Sequence, residues 1–381
     1  MRKHALFAVC AAAFALVLSV SFVLAQDDMT IPGSGLVNGP MEGEAQSLTG
    51  AGATFPQVLY TTWFSDYATL TGVEVNYQGI GSGGGIKAVT DQTVDFGASD
   101  APMTDDQMAA ASETCGADIV HIATALGGVV VTYNIPELQD SNTVLKFTPD
   151  TIAGIFLGDI VNWSDPALVA DNAQLTEVDQ PIAVVHRSDG SGTSNIFTSY
   201  LSAVSETWAS NVGAGTSVKW PTGIGQKGNA GIAGAIAGVP YALGYVELAY
   251  AQQNNLPVSE LQNKAGSFVQ ATEETVTNAA AGVELPDDLR IMIVNGDGEA
   301  TYPIAGFTWM LVCPIRPDAA EATALTRMLW LGTHDGQSYH ADLGYSPLPE
   351  PAIQADERQI LKITVDGEQA LPAEIATPEA M

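Results

Sequence analysis

The sequence predicts an α/β protein. Short apolar, β-branched runs recur along the chain, each gives way to a loop of glycines and hydroxyl residues, and those loops open stretches with helical spacing. At 381 residues the chain can hold about two domains of usual size, enough for two lobes with a cleft.

The first residues carry Arg2 and Lys3, an apolar run from Ala5 to Leu24, and small residues in Val23-Leu24-Ala25. This reads as a secretory signal over 1–25, cleaved after Ala25. A retained anchor is the alternative, because the run approaches the length that spans a bilayer. Cys10 follows Val9 rather than a small residue, which is not the setting of a lipid-attachment cysteine. No later segment is apolar for long enough to cross a membrane, so an extracytoplasmic mature chain is expected. Residues 26–46 are polar, acidic and glycine-rich without periodicity, as in a flexible tether.

Order is expected from about Leu48. Gly50 to Pro56 reads Gly-Ala-Gly-Ala-Thr-Phe-Pro, and Val58, Leu59, Trp63 and Phe64 then follow at helical spacing. A glycine turn therefore opens a helix with Thr54 and Phe55 at its mouth. Val73 to Tyr77 alternates as a strand, Gly79 to Gly85 forms a second glycine loop holding Ser82, and Ile86 to Val89 begins another helix. Val94 to Asp100 is a short strand that ends in Ser99 and Asp100, which puts a carboxylate at a strand's carboxyl tip, where ligands gather in open α/β sheets.

Leu126 to Ile135 is apolar and β-branched, a buried strand expected to pass from one lobe into the other. Phe147 to Trp163 holds a helix and a turn, and Ile182 to Val185 is a strand feeding Arg187 to Ser194. Trp220 to Asn229 is a glycine-rich connection, Gly231 to Ala237 a small-residue helix, and Gly244 to Val246 a strand that runs into a helix with Glu247 and Tyr250. Gln252 to Val283 is more polar and peripheral. Arg290 to Val294 reads as an isolated strand, Thr308 to Val312 as a buried one, and Ala319 to Leu331 and Ile353 to Ile363 as helices. The tail after Leu371 is expected to fray.

Composition excludes several functions. The chain has 13 basic and 43 acidic residues, and removing Arg2 and Lys3 with the signal leaves 11 against 43, a net charge of −32. Too little basic charge remains to neutralise a phosphate backbone, so nucleic acid is not an expected partner. An anion could bind only through local, desolvated donors rather than long-range attraction. Cys115 and Cys313 read equally as a disulfide or as two buried thiols. Neither they nor the five histidines have metal-ligand spacing, and no metal or cofactor is expected.

Arg187 to Ser194 reads Arg-Ser-Asp-Gly-Ser-Gly-Thr-Ser before an amphipathic run. A guanidinium, hydroxyls and glycines where a loop becomes a helix suit an oxyanion, because a helix N-terminus offers unpaired N–H groups and partial positive charge. Taken alone, the segment reads equally as an ordinary N-capped helix. Four such loops together favour a ligand: Thr54 with Phe55, Ser82, Ser99 with Asp100, and Arg187 with Ser191, Gly192 and Thr193. Asp100 is the informative member. A carboxylate repels an anion unless that anion has a proton to donate, which phosphate keeps at neutral pH and sulfate does not. Leaving such an acceptor unpaired costs roughly 1–3 kcal/mol or more.

The motifs Gly50 to Pro56, Tyr77 to Gly85, Val94 to Pro102, Arg187 to Ser194 and Gly225 to Ile232 resemble those of the phosphate-binding proteins of phosphate-specific ABC transporters, in order from about Ser47 to Leu371. The resemblance implies a two-lobed periplasmic-binding-protein-like fold of type II, with phosphate in the cleft between lobes joined by crossing strands. It implies lobes of 47–132 with 300–371 and of 133–299, permease subunits as partners and a monomer. The ligand set it implies is Thr54, Phe55, Ser82, Asp100 as proton acceptor, Arg187, Ser191, Gly192 and Thr193, with Asp189 pairing with the arginine. No matched binding position is replaced. His186 before the arginine, Gly84 in the second loop and the two cysteines are departures.

An enzyme is the rival class. Ser191, Asp189 and His186 lie close in sequence, but three triad members within six residues rarely reach triad geometry, and Ser191 lacks the glycines of a hydrolase elbow. A phosphatase on the same fold is the better enzymatic reading. The Gly79 to Gly85 loop lacks the Gly-Lys-Ser/Thr ending of a nucleotide loop. A surface adhesion protein has only the tether in its favour.

Overall fold

The computed structural model describes residues 37, 39–139, 141 and 143–376. The expected signal, 1–25, the greater part of the expected tether and residues 377–381 lie outside the described residues.

The amino-terminal half repeats one device three times. Strand β1 (Ser47–Gly52) leads into helix α1 (Gln57–Thr71), β2 (Glu74–Gly79) into α2 (Ser82–Thr90), and β3 (Phe96–Ser99) into α3 (Asp105–Cys115). Helix α1 buries Tyr60, Trp63, Phe64 and Tyr67, one face at spacings of three and four, and stops at Gly72 in a left-handed cap. Then comes β4 (Val120–Tyr133), in which every residue is buried, as a run without alternation requires when both faces are covered.

Beyond α4 (Pro149–Leu157) the device resumes with β5 (Ala183–Arg187) and α5 (Gly192–Val204), β6 (Ile224–Gln226) and α6 (Gly228–Gly238), and β7 (Ala242–Glu247) and α7 (Leu248–Gln253). Strand β8 (Ala305–Val312) and helices α8 (Ala319–Thr333) and α9 (Glu350–Ile360) complete the main frame.

Among the described residues the largest sheet has eight strands in the order β2-β1-β3-β8-β4-β7-β5-β6. Strand β4 joins its halves. Residues 120–128 pair antiparallel with β8 and residues 129–133 with β7, so one strand about 46 Å long crosses from one set of strands into the other. Strands β1, β2 and β3 are mutually parallel, as are β5, β6 and β7. The register of β8 on β4 shifts between Thr308 and Trp309, opposite Thr124. Asp356 Oδ1 accepts the freed Ala123 N–H at 2.7 Å, and His340 Nε2 lies 3.0 Å from Thr124 O, so the bulge leaves these backbone groups paired.

Several expectations are corrected. Residues 39–46 are fastened rather than loose: Arg327, buried in α8, pairs with the buried carboxylate of Glu44 and donates to Gly39 O at 2.6 Å, while Ala45 N donates to Ala320 O at 3.0 Å. One glutamate in an acidic run gave no sign of a distant arginine. The tail is anchored as far as a short helix at Ala373–Ala376, because Leu371 and Ile375 are buried. Arg290 to Val294 forms no ladder; Ile293 reaches the core from an irregular segment. The connection read over Trp220 to Asn229 contains β6, a three-residue strand beside β5. Of the two readings left open for Cys115 and Cys313, the structure has the disulfide, across 198 residues, which ties the end of α3 to the residue after β8.

Removing one partner of a buried ion pair strands the other charge. Glu44→Ala is therefore expected to lower unfolding stability by about 3 kcal/mol, read from urea denaturation, while Glu42→Ala leaves it within about 0.5 kcal/mol.

Candidate functional site

The polar loops read from the sequence meet at the carboxyl ends of β1, β3 and β5 and the amino ends of α2, α5 and α6. The Thr54 loop is held from outside. Tyr77 donates to Ala53 O at 2.6 Å, Tyr250 to Thr54 O at 2.6 Å and Tyr345 to Phe55 O at 2.7 Å. In a trans peptide the N–H points opposite to the carbonyl of the same plane. Fixing the Ala53 and Thr54 carbonyls on tyrosines therefore turns the Thr54 and Phe55 N–H groups the other way. The Phe55 ring is fully buried and packs where β4 has Gly127.

The second and fourth loops touch. Gly83 N donates to Gly190 O at 3.0 Å, and Gly192 N to Ser82 Oγ at 3.0 Å. Two glycines permit this approach. Gly81 has φ of +89°, and a Cβ there would lie 2.5 Å from Asp189 Oδ2; a Cβ on Gly192 would lie 2.6 Å from Asp100 Oδ2. Ser191 caps α5 by accepting the Ser194 N–H at 3.0 Å.

Arg187 ends β5 with its side chain buried. Its Nε and Nη2 make a forked pair with Asp189 at 2.8 and 2.5 Å, and its Nη1 lies 3.5 Å from Thr193 Oγ1. Gly228 N also donates to Asp189, at 3.1 Å. Burial works against the charge on Asp189, but the hydrogen bonds and charge of Arg187 outweigh it and hold the carboxyl below its usual range. Asp189 thus orients the guanidinium and is itself kept ionised.

Asp100 sits at the tip of β3, 1% exposed. Thr308 Oγ1 donates to its Oδ1 at 2.9 Å, and Ser82 Oγ lies 3.5 Å from its Oδ2. Burial pushes its carboxyl up to about 7, against the lowering effects of Thr308, Arg187, Ser82 and the Thr193 N–H. The carboxyl therefore stands near the point where it gives up or keeps a proton at neutral pH. Among the described residues, no group of three or more His, Cys, Asp or Glu side chains could hold a metal ion.

All nine residues singled out from the sequence thus lie in one cluster. A serine triad does not assemble, since Asp189 is taken by Arg187 and the His186 ring stacks on Trp220 with centroids 4.9 Å apart. Sequence reasoning missed Asn229, Thr308 and the three tyrosines. Asn229, fully buried at the start of α6, donates from Nδ2 to Thr54 Oγ1 at 3.1 Å and to Thr193 Oγ1 at 3.2 Å. It lies within the Gly225 to Ile232 motif, where an asparagine among glycines also reads as an ordinary turn residue.

Frame and cluster together define a ligand-binding protein of two parallel strand sets joined by crossing strands, with a buried, donor-rich seat at the strand tips. A family model of the PBP superfamily domain matches residues 39–326. The chain is 40% identical over 322 residues to the phosphate-binding protein PstS of Pasteurella multocida, covering 83% of this chain and 90% of that protein. It is 38% identical over 322 residues to the phosphate-binding protein PstS of Methanocaldococcus jannaschii, covering 78% and 82%. The chain belongs to the PBP superfamily and, within it, to the family of these phosphate-binding proteins. In fold it matches a high-affinity periplasmic phosphate-binding protein, PfluDING, solved with bound phosphate, with a TM-score of 0.67 at 20% identity over 83% of this chain and 94% of that one. The fold is accordingly the two-lobed, type II arrangement that the sequence suggested.

The shift of Asp100 has a sign. Its folded carboxyl holds a proton more tightly than the unfolded one, so its contribution to stability is complete at low pH and is lost as pH rises through about 7. Scanning calorimetry of the ligand-free protein is expected to show Asp100→Asn melting several degrees above the parent at pH 8, with the gap narrowing as pH falls and closing only below about pH 4, where the unfolded carboxyl is protonated too.

Proposed function

We propose that this chain is an extracytoplasmic receptor that binds inorganic phosphate between its lobes and delivers it to the membrane permease of an ABC transporter. The observation that carries the reading is Asp100, a buried acceptor set among donors: the Arg187 guanidinium, the hydroxyls of Thr54, Ser82 and Thr193, and the amides at the start of α5. Donors attract a tetrahedral oxyanion, and the one acceptor selects an anion that still has a proton to give. The proposed ligand set is Thr54, Phe55, Ser82, Asp100, Arg187, Ser191, Gly192 and Thr193. Curated relatives named for phosphate binding support it. Membership in a family of transport receptors sets aside the phosphatase reading.

The proposed lobes are 47–132 with 300–371, and 133–299, divided within β4. Thr54, Ser82 and Asp100 then stand on one lobe and Arg187 with Ser191 to Thr193 on the other. An anion that touches both favours the closed arrangement. Among the described residues, no helix is long and apolar enough to cross a membrane. A monomer suffices, because one chain supplies every donor named.

Titration calorimetry of the wild type with phosphate, arsenate and sulfate tests this reading. At pH 9, about two units above the value of the Asp100 carboxyl, phosphate and arsenate are expected to bind and sulfate to be rejected by about 100-fold, because accepting it would require protonating that carboxylate. In Asp100→Asn the acceptor becomes partly a donor, and the phosphate preference is expected to collapse. Absence of phosphate binding by the wild type, or an unchanged preference in the variant, would overturn it.

A further inference from the structure

We infer that Asn229 is a positioning residue that makes the hydroxyls of Thr54 and Thr193 obligate donors, so that the seat admits an anion by the number of protons it carries. The inference rests on the phosphate-receptor reading above and assigns the part of Asn229 within it.

The orientation of the Asn229 amide follows from chemistry alone. Its Oδ1 lies 3.2 Å from the main-chain N of Glu247, and a peptide N–H can only donate. The amide oxygen must therefore occupy that position, and Nδ2, with two hydrogens, faces the two threonines. The main-chain N–H of Asn229 also donates to Thr54 Oγ1, at 3.2 Å.

A hydroxyl has one hydrogen and two acceptor positions. Thr54 Oγ1 receives two N–H groups of Asn229, which fills both acceptor positions and leaves its hydrogen to be donated. Thr193 Oγ1 receives Asn229 Nδ2 and, at 3.5 Å, Arg187 Nη1, with the same result. Ser82 reaches this state without Asn229, because its Oγ accepts the N–H groups of Asp100 at 3.1 Å and Gly192 at 3.0 Å. The seat thus has three hydroxyls with both acceptor positions filled, those of Thr54 and Thr193 left to donate and that of Ser82 also 3.5 Å from Asp100 Oδ2, and one carboxyl that takes hydrogen bonds. An anion oxygen bearing a second proton finds no free hydroxyl lone pair to accept it.

The same amide spans the proposed lobes, with Thr54 on one and Thr193 on the other. The groups that titrate or carry charge around it are Asp100 just past β3, Arg187 at the end of β5 with Asp189 after it, Glu247 on β7, and Tyr250 and Tyr345 behind the Thr54 loop. All of them are present in both proteins compared below, so a difference in pH profile between those proteins isolates Asn229.

The test is phosphate affinity by calorimetry at pH 8 and pH 5.5 for the wild type and Asn229→Ala. Freed of Asn229, either threonine can turn and accept a ligand proton. The variant is expected to bind about 30-fold more weakly at pH 8, where the lost donor alignment matters most, and about 3-fold more weakly or less at pH 5.5. An equal loss at both pH values marks a merely structural role and overturns the inference. Neutron diffraction from deuterated wild-type crystals gives an answer that needs no folded variant: deuterium is expected on Nδ2 toward both threonine oxygens. Deuterium on either threonine hydroxyl directed at Asn229 would overturn the assignment. Failure of the wild type to bind phosphate would instead overturn the receptor reading, and the neutron map would still report on the amide.

Discussion

A carboxyl buried among hydrogen-bond donors is the constraint that the rest of the molecule serves. Asp100 lies where water cannot solvate it, and burial alone would keep it protonated. Thr308, Ser82, the Thr193 amide and the charge of Arg187 draw it back toward ionisation, so it stands close to balance near neutral pH. Under the proposed function it is the ionised form of this side chain that takes a proton-bearing oxyanion and repels a bare one. A carboxylate in open solvent would be paired by water and would discriminate little.

Keeping that balance requires rigid surroundings, and the fold supplies them from several directions. The bulge between β8 and β4 places Thr308 against Asp100, and Asp356 and His340 satisfy the backbone groups it disturbs. Tyr77, Tyr250 and Tyr345 fix three successive carbonyls of the Thr54 loop. Gly81 and Gly192 allow the second and fourth loops to meet without a side chain between them. The site is therefore built of short polar groups whose own partners are already assigned. Such a site loses little by reorganising when a ligand arrives. The attraction is local by necessity, because a chain with 43 acidic and 13 basic residues offers an anion no favourable field at a distance.

Much of this was legible in the sequence, and for identifiable reasons. Glycines and hydroxyls before a helical run mark an anion-binding helix start, and Arg187 to Ser194 carries that pattern openly. Asp100 was readable because a carboxylate at the end of a short apolar strand stands out. The strand-loop-helix alternation led to the α/β frame, and the unbroken apolar run of β4 to its crossing path. Other features depend on contacts across long stretches of chain that no local pattern encodes. Thr308 reads as one β-branched residue in a buried strand, yet it meets a carboxylate 208 positions away. Tyr345 lies 290 residues from the carbonyl it holds, and Arg327 is 283 residues from Glu44. Strand β6 is too short to show a period, and the short apolar run of Arg290 to Val294 reads as a strand although it has no neighbouring strand to pair with.

A high-resolution crystal structure of the protein with phosphate tests the central claim most directly. The account predicts tetrahedral density enclosed by Thr54, Ser82, Arg187, Ser191 and Thr193, with one phosphate oxygen within about 2.7 Å of a carboxylate oxygen of Asp100, the length of a charge-assisted O–H···O bond. Phosphate bound elsewhere, or bound there with every oxygen more than about 3.5 Å from the Asp100 carboxyl, would contradict it.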